Sequence, residues 1–212
     1  MDYLFSILLG YLFGSIPTAY LIVKFTHNLS IIENGSGNVG ALNSFEVTNS
    51  KIIGAIVLIS DFIKGLIPIL IVKFLVDDYF QLLLNTALFS VIGHCFSVFL
   101  KFKGGRGLAT AAGSLIIIAP SIFVVWIVIW LISYVYKKHI HFANAAATLL
   151  TAILSFTAQK ALIYYTFPLA SNNFGFSIYV SLIMFVILIK HFEPLKEYFS
   201  NAKITEVKNE QD

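Results

Sequence analysis

The stretch LATAAGSLIIIAPSIFVVWIVIWLISYVY, residues 108–136, decides how this chain is threaded. Read as one helix, it is longer than a single crossing of a bilayer core needs. Read as two full crossings, it is too short. Pro120 sits near its middle, and a residue without an N–H whose ring collides with the preceding turn breaks or kinks a helix there. Charge then chooses between the readings. Lys101, Lys103 and Arg106 precede the stretch, and Lys137 and Lys138, with His139 and His141, follow it. Lys and Arg gather in cytoplasmic loops. A single crossing would put the two groups on opposite faces, whereas two short, broken helices meeting near Pro120 return both to one face. Short helices are tolerated where protein lines a cavity.

The rest of the chain agrees with a membrane reading. Of 212 residues, 58% are apolar and 12% are charged, against about 25% charged in a soluble domain. Mean hydropathy is +0.86. Apolar runs at 3–25, 52–76, 80–100 and 142–164 are long enough to cross. The run 176–189 is short but continues into Lys190, whose stem can snorkel. The first run is too long for a signal-peptide core and lacks a basic start and a small-residue cleavage site, so it reads as a retained membrane helix. The segments 77–79 and 166–175 carry no Lys or Arg and fit the outside, while Lys190, Lys196, Lys203 and Lys208 fit the cytoplasm. The expected fold is all-α and integral to the membrane, with about seven transmembrane or half-membrane helices. Its N-terminus is outside and its C-terminus cytoplasmic. Residues 1–200 form one polytopic domain and 201–212 a polar cytoplasmic tail. The lone Cys95 excludes an internal disulfide and a multi-cysteine metal site. A net charge of +3 without a long basic run gives no footprint for nucleic acid.

Threaded this way, three polar clusters share the cytoplasmic face. The first is NGSGNVGALNS, residues 34–44, where Gly35, Gly37 and Gly40 have the spacing of a dinucleotide-binding turn and Asp61 follows at a suggestive distance. That reading needs a strand before, a helix after and a parallel sheet around it. Membrane-length segments on both sides exclude it. A flexible turn or an anion-holding loop remains. In the second case the glycines admit positive φ and aim backbone N–H groups at the anion, while Ser36, Asn38 and Asn43 add polar groups. The second cluster is KFKGGRGLAT, residues 101–110. Gly104, Gly105 and Gly107 alternate with Lys103 and Arg106, and a helix carrying Thr110 begins at about Leu108. A glycine-rich basic turn before a helix N-terminus is a phosphate cradle. It lacks the Walker A pattern, and the plainer alternative is a turn that only sets topology. The third cluster lies inside the apolar runs. Asp61 and Lys64 can pair on one helix, as structural glue or as functional groups, and His94 lies toward the end of the third helix. His191 follows the last run, either as a surface histidine or as a catalytic one. The sequence holds no HExxH helix, no GxSxG elbow and no His followed by Asp after four residues.

Four blocks together carry a family resemblance: GSIPTAYLI (14–22), GSGNVGALNS (35–44), DFIKG (61–65) and GHCFSVFLKFKGGRGLAT (93–110). In order and spacing, over nearly the whole chain, they resemble the bacterial acyl-phosphate:glycerol-3-phosphate acyltransferases of the PlsY type. The resemblance implies a seven-helix enzyme of the bacterial cell membrane with its active site facing the cytoplasm. It moves a fatty acyl group from acyl phosphate to the 1-hydroxyl of glycerol 3-phosphate, giving lysophosphatidic acid and phosphate. It uses no cofactor and no metal. By position, Ser36 and His191 match the glycerol-phosphate site, Gly104, Gly105 and Gly107 match the phosphate loop, and Arg106 stands where the family has Lys. Asn38, Asn43 and Asp61 fall on further characteristic positions. The chain also departs from the pattern. Glu46 replaces an Arg, Leu42 a Thr, Val39 a Pro or Ile and Pro194 an Asn, and Asn144 stands near an expected Ser. Glu46 reverses charge beside the expected dianion. A divergent paralogue with another acceptor or no activity is therefore the second reading. A small anion transporter built on the Asp61–Lys64 pair is the third.

Overall fold

The computed structural model describes residues 1–76 and 80–209, the last nine as backbone. Its described residues form helices and loops without a strand: α1 (Asp2–Ser15), α2 (Thr18–His27), α3 (Ala41–Thr48), α4 (Lys51–Leu75), α5 (Phe80–Cys95), α6 (Leu108–Ile118), α7 (Pro120–Lys137), α8 (Ile140–Thr157), α9 (Gln159–Ile163) and α10 (Asn173–Asn209). Six helical stretches are long and apolar enough to cross a membrane, and α6 is a shorter apolar helix beside them.

The deciding stretch does break at its proline. Ala119, at φ −147° and ψ 63°, leaves the helical region, and Pro120 takes the first position of α7, where its missing N–H is harmless. The two products are unequal. Only α6 is short, with 11 residues, while α7 has 18 and is of crossing length. The break frees the carbonyl of Ile118, and the N–H of Phe167 donates to it at 3.0 Å. Ser121 Oγ donates to the carbonyl of Leu162 at 2.9 Å, tying the same corner to α9.

Other expected runs are also interrupted. The run 3–25 is two helices, because Pro17 separates α1 from α2. Run 142–164 ends α8 at Thr157 and resumes as α9. The last run is no short segment: α10 has 37 residues, or about 55 Å at 1.5 Å each. His191 lies within it and not after it, and so do Pro194 and the backbone of 201–209, expected as a tail. Residues 77–79, expected as an outside connection, lie outside the described residues. Pro68 is held inside α4 without ending it.

Helix α5 is the axis of the bundle. The stretch Phe80–Leu100, which begins with α5, is the most buried of the six crossing-length stretches, and α7 is the least buried, which makes α7 peripheral. Leu83, Leu84 and Val91 of α5 pack into one core with Ile69 of α4, Ile118 of α6 and Ile183 of α10. Lipid tails are as apolar as leucine, so close backbone approach must supply the helix contact. A methyl on Gly14 of α1 would strike the Ser90 carbonyl of α5. One on Gly113 of α6 would strike the Phe62 carbonyl of α4, and one on Gly65 of α4 the Thr110 carbonyl of α6. Ser114 Oγ reinforces the α4–α6 contact by donating to the Gly65 carbonyl at 3.0 Å.

Gly113→Ala tests this packing against local propensity. Alanine favours a helix by about 1 kcal/mol over glycine, but overpacking costs about 1–3 kcal/mol. The expected result is a lower thermal unfolding midpoint in detergent micelles. A raised midpoint would mean that the close approach is not what holds α6 to α4.

Candidate active site

Two loops and one end of α10 build the candidate site. In the first loop, 28–40, a single buried side chain sets the shape. Asn43 Oδ1 accepts from Ser36 N–H at 2.9 Å. Its Nδ2 faces the carbonyls of Ile31 at 3.2 Å, Asn34 at 3.1 Å and Asn38 at 3.0 Å. Gly35 and Gly37 take φ of 61° and 67°, the left-handed region that the turn requires. Gly37 N–H donates to the Asn34 carbonyl and Gly40 N–H to that of Asn38. The N–H groups of Ser36, Gly37 and Gly40 are thus satisfied inside the loop, which differs from the expected anion cradle. Asn43 is its organiser.

The second loop, 101–107, also uses its glycines for fit. A Cβ on Gly104 would meet the carbonyls of His94 and Cys95. On Gly105 it would meet the His94 ring and the Val39 carbonyl of the first loop. The two loops therefore touch at Gly105, and its N–H donates to the His94 carbonyl at 3.1 Å. Uncommitted donors lie one step further on. The first bond of α6 runs from Ala111 N–H to the Gly107 carbonyl. The N–H groups of Leu108, Ala109 and Thr110 precede it, so the helix has no carbonyl to offer them. Gly107 caps α6 with φ 85°. Thr110 is fully buried, its Oγ1 has no partner, and it does not line either polar cavity.

Those cavities adjoin through Asn38 and Arg106. The larger, about 620 Å³, is walled by Asn38, Gly40, Asp61, His94, Arg106 and His191, with Leu58 and Trp126 on its apolar side. The other, about 550 Å³, is walled by Ser36, Gly37, Lys103, Gly104, Arg106 and Lys190, with Glu193 and Glu197. A third, apolar cavity of about 230 Å³ shares Leu58, Leu108, Ala109 and Trp126 with the larger one and ends against Met184 and Ile187. Ser36 and His191 therefore stand on neighbouring cavities. Lys190, which sequence reasoning used only for topology, is a wall of the cationic one. Its position beside His191 was the available signal.

Arg106 is the hinge of this geometry. Its Nη1 donates to His141 Nδ1 at 3.5 Å. Burial pulls the guanidinium below its ordinary pKa, while Glu46 and Glu197 oppose that shift. The charge-reversing Glu46 is thus within electrostatic reach of the central cation, on the exposed side of α3.

Asp61 and Lys64 do pair, at 2.9 Å, and both are nearly fully buried. Lys64 Nζ also donates to the Ile16 carbonyl at 2.8 Å, and Thr18 Oγ1 donates to Asp61 Oδ1 at 2.6 Å. The pair thus closes the gap opened by Pro17. His94 Nδ1 is buried 3.7 Å from Asp61 Oδ1, without a hydrogen-bond partner.

Residues 4–201 match the family model described as glycerol-3-phosphate acyltransferase. A glycerol-3-phosphate acyltransferase of Listeria welshimeri is 40% identical over 151 residues, 70% of this chain and 75% of the relative. Glycerol-3-phosphate acyltransferase 2 of Moorella thermoacetica is 35% identical over 171 residues, 80% and 87% of the two chains. Among solved structures, the glycerol 3-phosphate form of PlsY (YgiH), an integral membrane glycerol 3-phosphate acyltransferase, superposes with a TM-score of 0.78 at 31% identity. The match covers 95% of this chain and 94% of that one. Its lysophosphatidic acid form gives 0.76, covering 95% and 93%.

The buried pair gives a stability test. Lys64→Met leaves the Asp61 carboxylate unpaired in the bundle, which should cost about 3–5 kcal/mol. Adding Asp61→Asn should recover much of the loss, although the Ile16 carbonyl remains without its ammonium. Unfolding of the two single variants and the double variant in micelles measures the coupling. Purely additive losses would show that the pair does not act as a unit.

Proposed function

This chain belongs to the glycerol-3-phosphate acyltransferase family, and we infer that it moves a fatty acyl group from acyl phosphate to the 1-hydroxyl of glycerol 3-phosphate in phospholipid synthesis. The observation that carries this reading is Arg106 on the shared wall of two adjoining cavities, one opening to apolar space and one rich in cations. Two phosphorylated substrates need two anion positions beside one reaction point. The acyl tail lies in the apolar cavity that ends at Met184 and Ile187. Its phosphate head meets Arg106 and the first turn of α6, with Gly104, Gly105 and Gly107 holding that turn in place. Glycerol 3-phosphate enters the second cavity, where Ser36, Lys103 and Lys190 face it. Asn38 spans both cavities, and His191 closes the inner wall.

Acyl phosphate is a mixed anhydride, so an enzyme nucleophile is unnecessary. The 1-hydroxyl oxygen bonds to the carbonyl carbon, the bond from that carbon to the bridging oxygen breaks, and phosphate leaves with the electron pair. The hydroxyl proton goes to the departing phosphate. The chain supplies positioning and positive charge. Asp61, Lys64 and Asn43 act on this site only by holding its walls. Lys101, Lys103, Arg106, Lys137 and Lys138 support a site facing the cytoplasm of a bacterial cell, with the N-terminus outside. Residues 1–200 act as one polytopic unit. The transport alternative loses its footing, because Lys64 and Asp61 are held by Ile16 and Thr18. A changed acceptor retains one, the two carboxylates near Arg106.

Purified protein supplied with acyl phosphate and glycerol 3-phosphate should release lysophosphatidic acid and phosphate stoichiometrically. Phosphate release without lysophosphatidic acid would indicate another acceptor or hydrolysis, and neither product would end the proposal. Arg106→Ala should lower kcat about a hundredfold or more, as when one charge-stabilising donor is removed. Glu46→Arg should lower the KM for glycerol 3-phosphate by up to about fivefold, the scale of one exposed charge interaction. An unchanged or higher KM would remove Glu46 from the acceptor site.

A further inference from the structure

His191 is fully buried and is held by groups from three helices. Trp130 Nε1 on α7 donates to Asn144 Oδ1 on α8 at 2.6 Å. Asn144 Nδ2 lies 3.3 Å from His191 Nε2 on α10. His191 Nδ1 lies 2.8 Å from the Ile187 carbonyl. An indole N–H can only donate, so the amide must turn its oxygen to Trp130 and its nitrogen to the imidazole. An amide nitrogen can only donate, so Nε2 must carry a lone pair. A carbonyl can only accept, so the ring proton sits on Nδ1. All three bonds are satisfied together by one tautomer.

We propose that Trp130, acting through the Asn144 amide, joins the Ile187 carbonyl in fixing the tautomer of His191 and so makes Nε2 the acceptor that this histidine offers at the cavity wall. Trp130 is then a positioning residue, two hydrogen bonds from the group it governs. This deepens the functional reading above and rests on it, since His191 matters to turnover only if it stands at the acceptor site. A substrate hydroxyl that donates to Nε2 takes the place of the Asn144 N–H and leaves the indole bond intact. A hydroxyl that needs a donor finds none on this ring. The site thus selects the direction in which the non-reacting hydroxyl of the acceptor points before any chemistry begins, and the reacting hydroxyl keeps its proton for the departing phosphate. Neighbouring Trp126 supplies a natural control. It lies one turn earlier on the same helix and stacks on Trp130 with ring centroids 6.5 Å apart. Its Nε1 donates to Thr148 Oγ1 at 3.1 Å, and that bond does not reach the imidazole.

The test uses full-length protein in micelles with nitrogen-labelled histidine, and the ring nitrogen shifts report the tautomer. The His191 signal is assigned by its loss in His191→Gln. Wild type should show the proton on Nδ1. Trp130→Phe frees the Asn144 amide to turn its oxygen to the ring in competition with the Ile187 carbonyl, so it should give a mixture of tautomers and lower kcat/KM for glycerol 3-phosphate about three- to tenfold, the scale of one lost neutral hydrogen bond. Trp126→Phe should leave the His191 signal at its wild-type position. Asn144→Asp keeps the size of the side chain but makes both of its outer atoms acceptors, and should draw a proton onto Nε2. A wild-type ring already protonated on Nε2 would overturn the proposal. So would a signal unmoved by both Trp130→Phe and Asn144→Asp, whatever happened to activity. Wild-type turnover in His191→Gln would instead sink the placement of His191 at the acceptor site, and the ring signals would still decide the role of Trp130.

Discussion

The fold depends on satisfying carbonyls at helix breaks inside an apolar bundle. Water cannot reach such groups in a bilayer core, and each one left bare costs several kcal/mol. The chain breaks its helices nonetheless, and its two proline breaks have specific donors. Pro17 opens the first, and the Ile16 carbonyl there accepts both the Thr18 N–H at 2.9 Å and the Lys64 ammonium, which reaches across from α4 at 2.8 Å. Pro120 opens the second, and the backbone of Phe167 answers at Ile118. Asp61 enters this scheme as the counter-charge that lets an ammonium exist there at all. A pair that looks catalytic in a list of charges is tied by its hydrogen bonds to a proline break more than forty residues away in sequence.

The breaks are also what makes a site possible. A continuous helix over 108–136 would carry its first-turn donors and its basic flank to a place set by length alone. The short α6 is instead seated on α4 by Gly113 and Gly65, and its N-terminus is held against the first loop through Gly105. Positive helix end, guanidinium and imidazole thereby meet around one space. The central helix α5 ends directly beneath, so His94 forms the floor, where the loops pack on its ring.

Much of this was legible in the sequence, for identifiable reasons. Pro120 between two basic clusters gave the break, because proline chemistry and charge placement are local signals. The two glycine loops were legible as partners because threading placed them on one face. What stayed hidden was the purpose of each glycine. Sequence spacing is compatible with N–H groups aimed at an anion and equally with backbone packed on backbone, and only the neighbours of Gly104 and Gly105 distinguish the two. His191 was misread as lying beyond its helix because a polar run, Lys190-His191, ends the hydropathy signal, while a helix needs no apolarity to continue past the membrane surface. The link from Trp130 to His191 joins three helices, and no spacing rule in one dimension encodes it. Glu46 was visible as a departure, and its reach to Arg106 needed the packing of α3 against α4.

The Asn43 amide carries a further implication. One side chain gathers a turn that would otherwise sample many conformers, engaging one N–H and three carbonyls at once. The entropy of ordering that turn is therefore lost during folding, before any ligand arrives. A ligand meeting this edge forfeits little of its contact energy to arranging the protein. The free energy it gains there remains available for holding the ligand in one orientation.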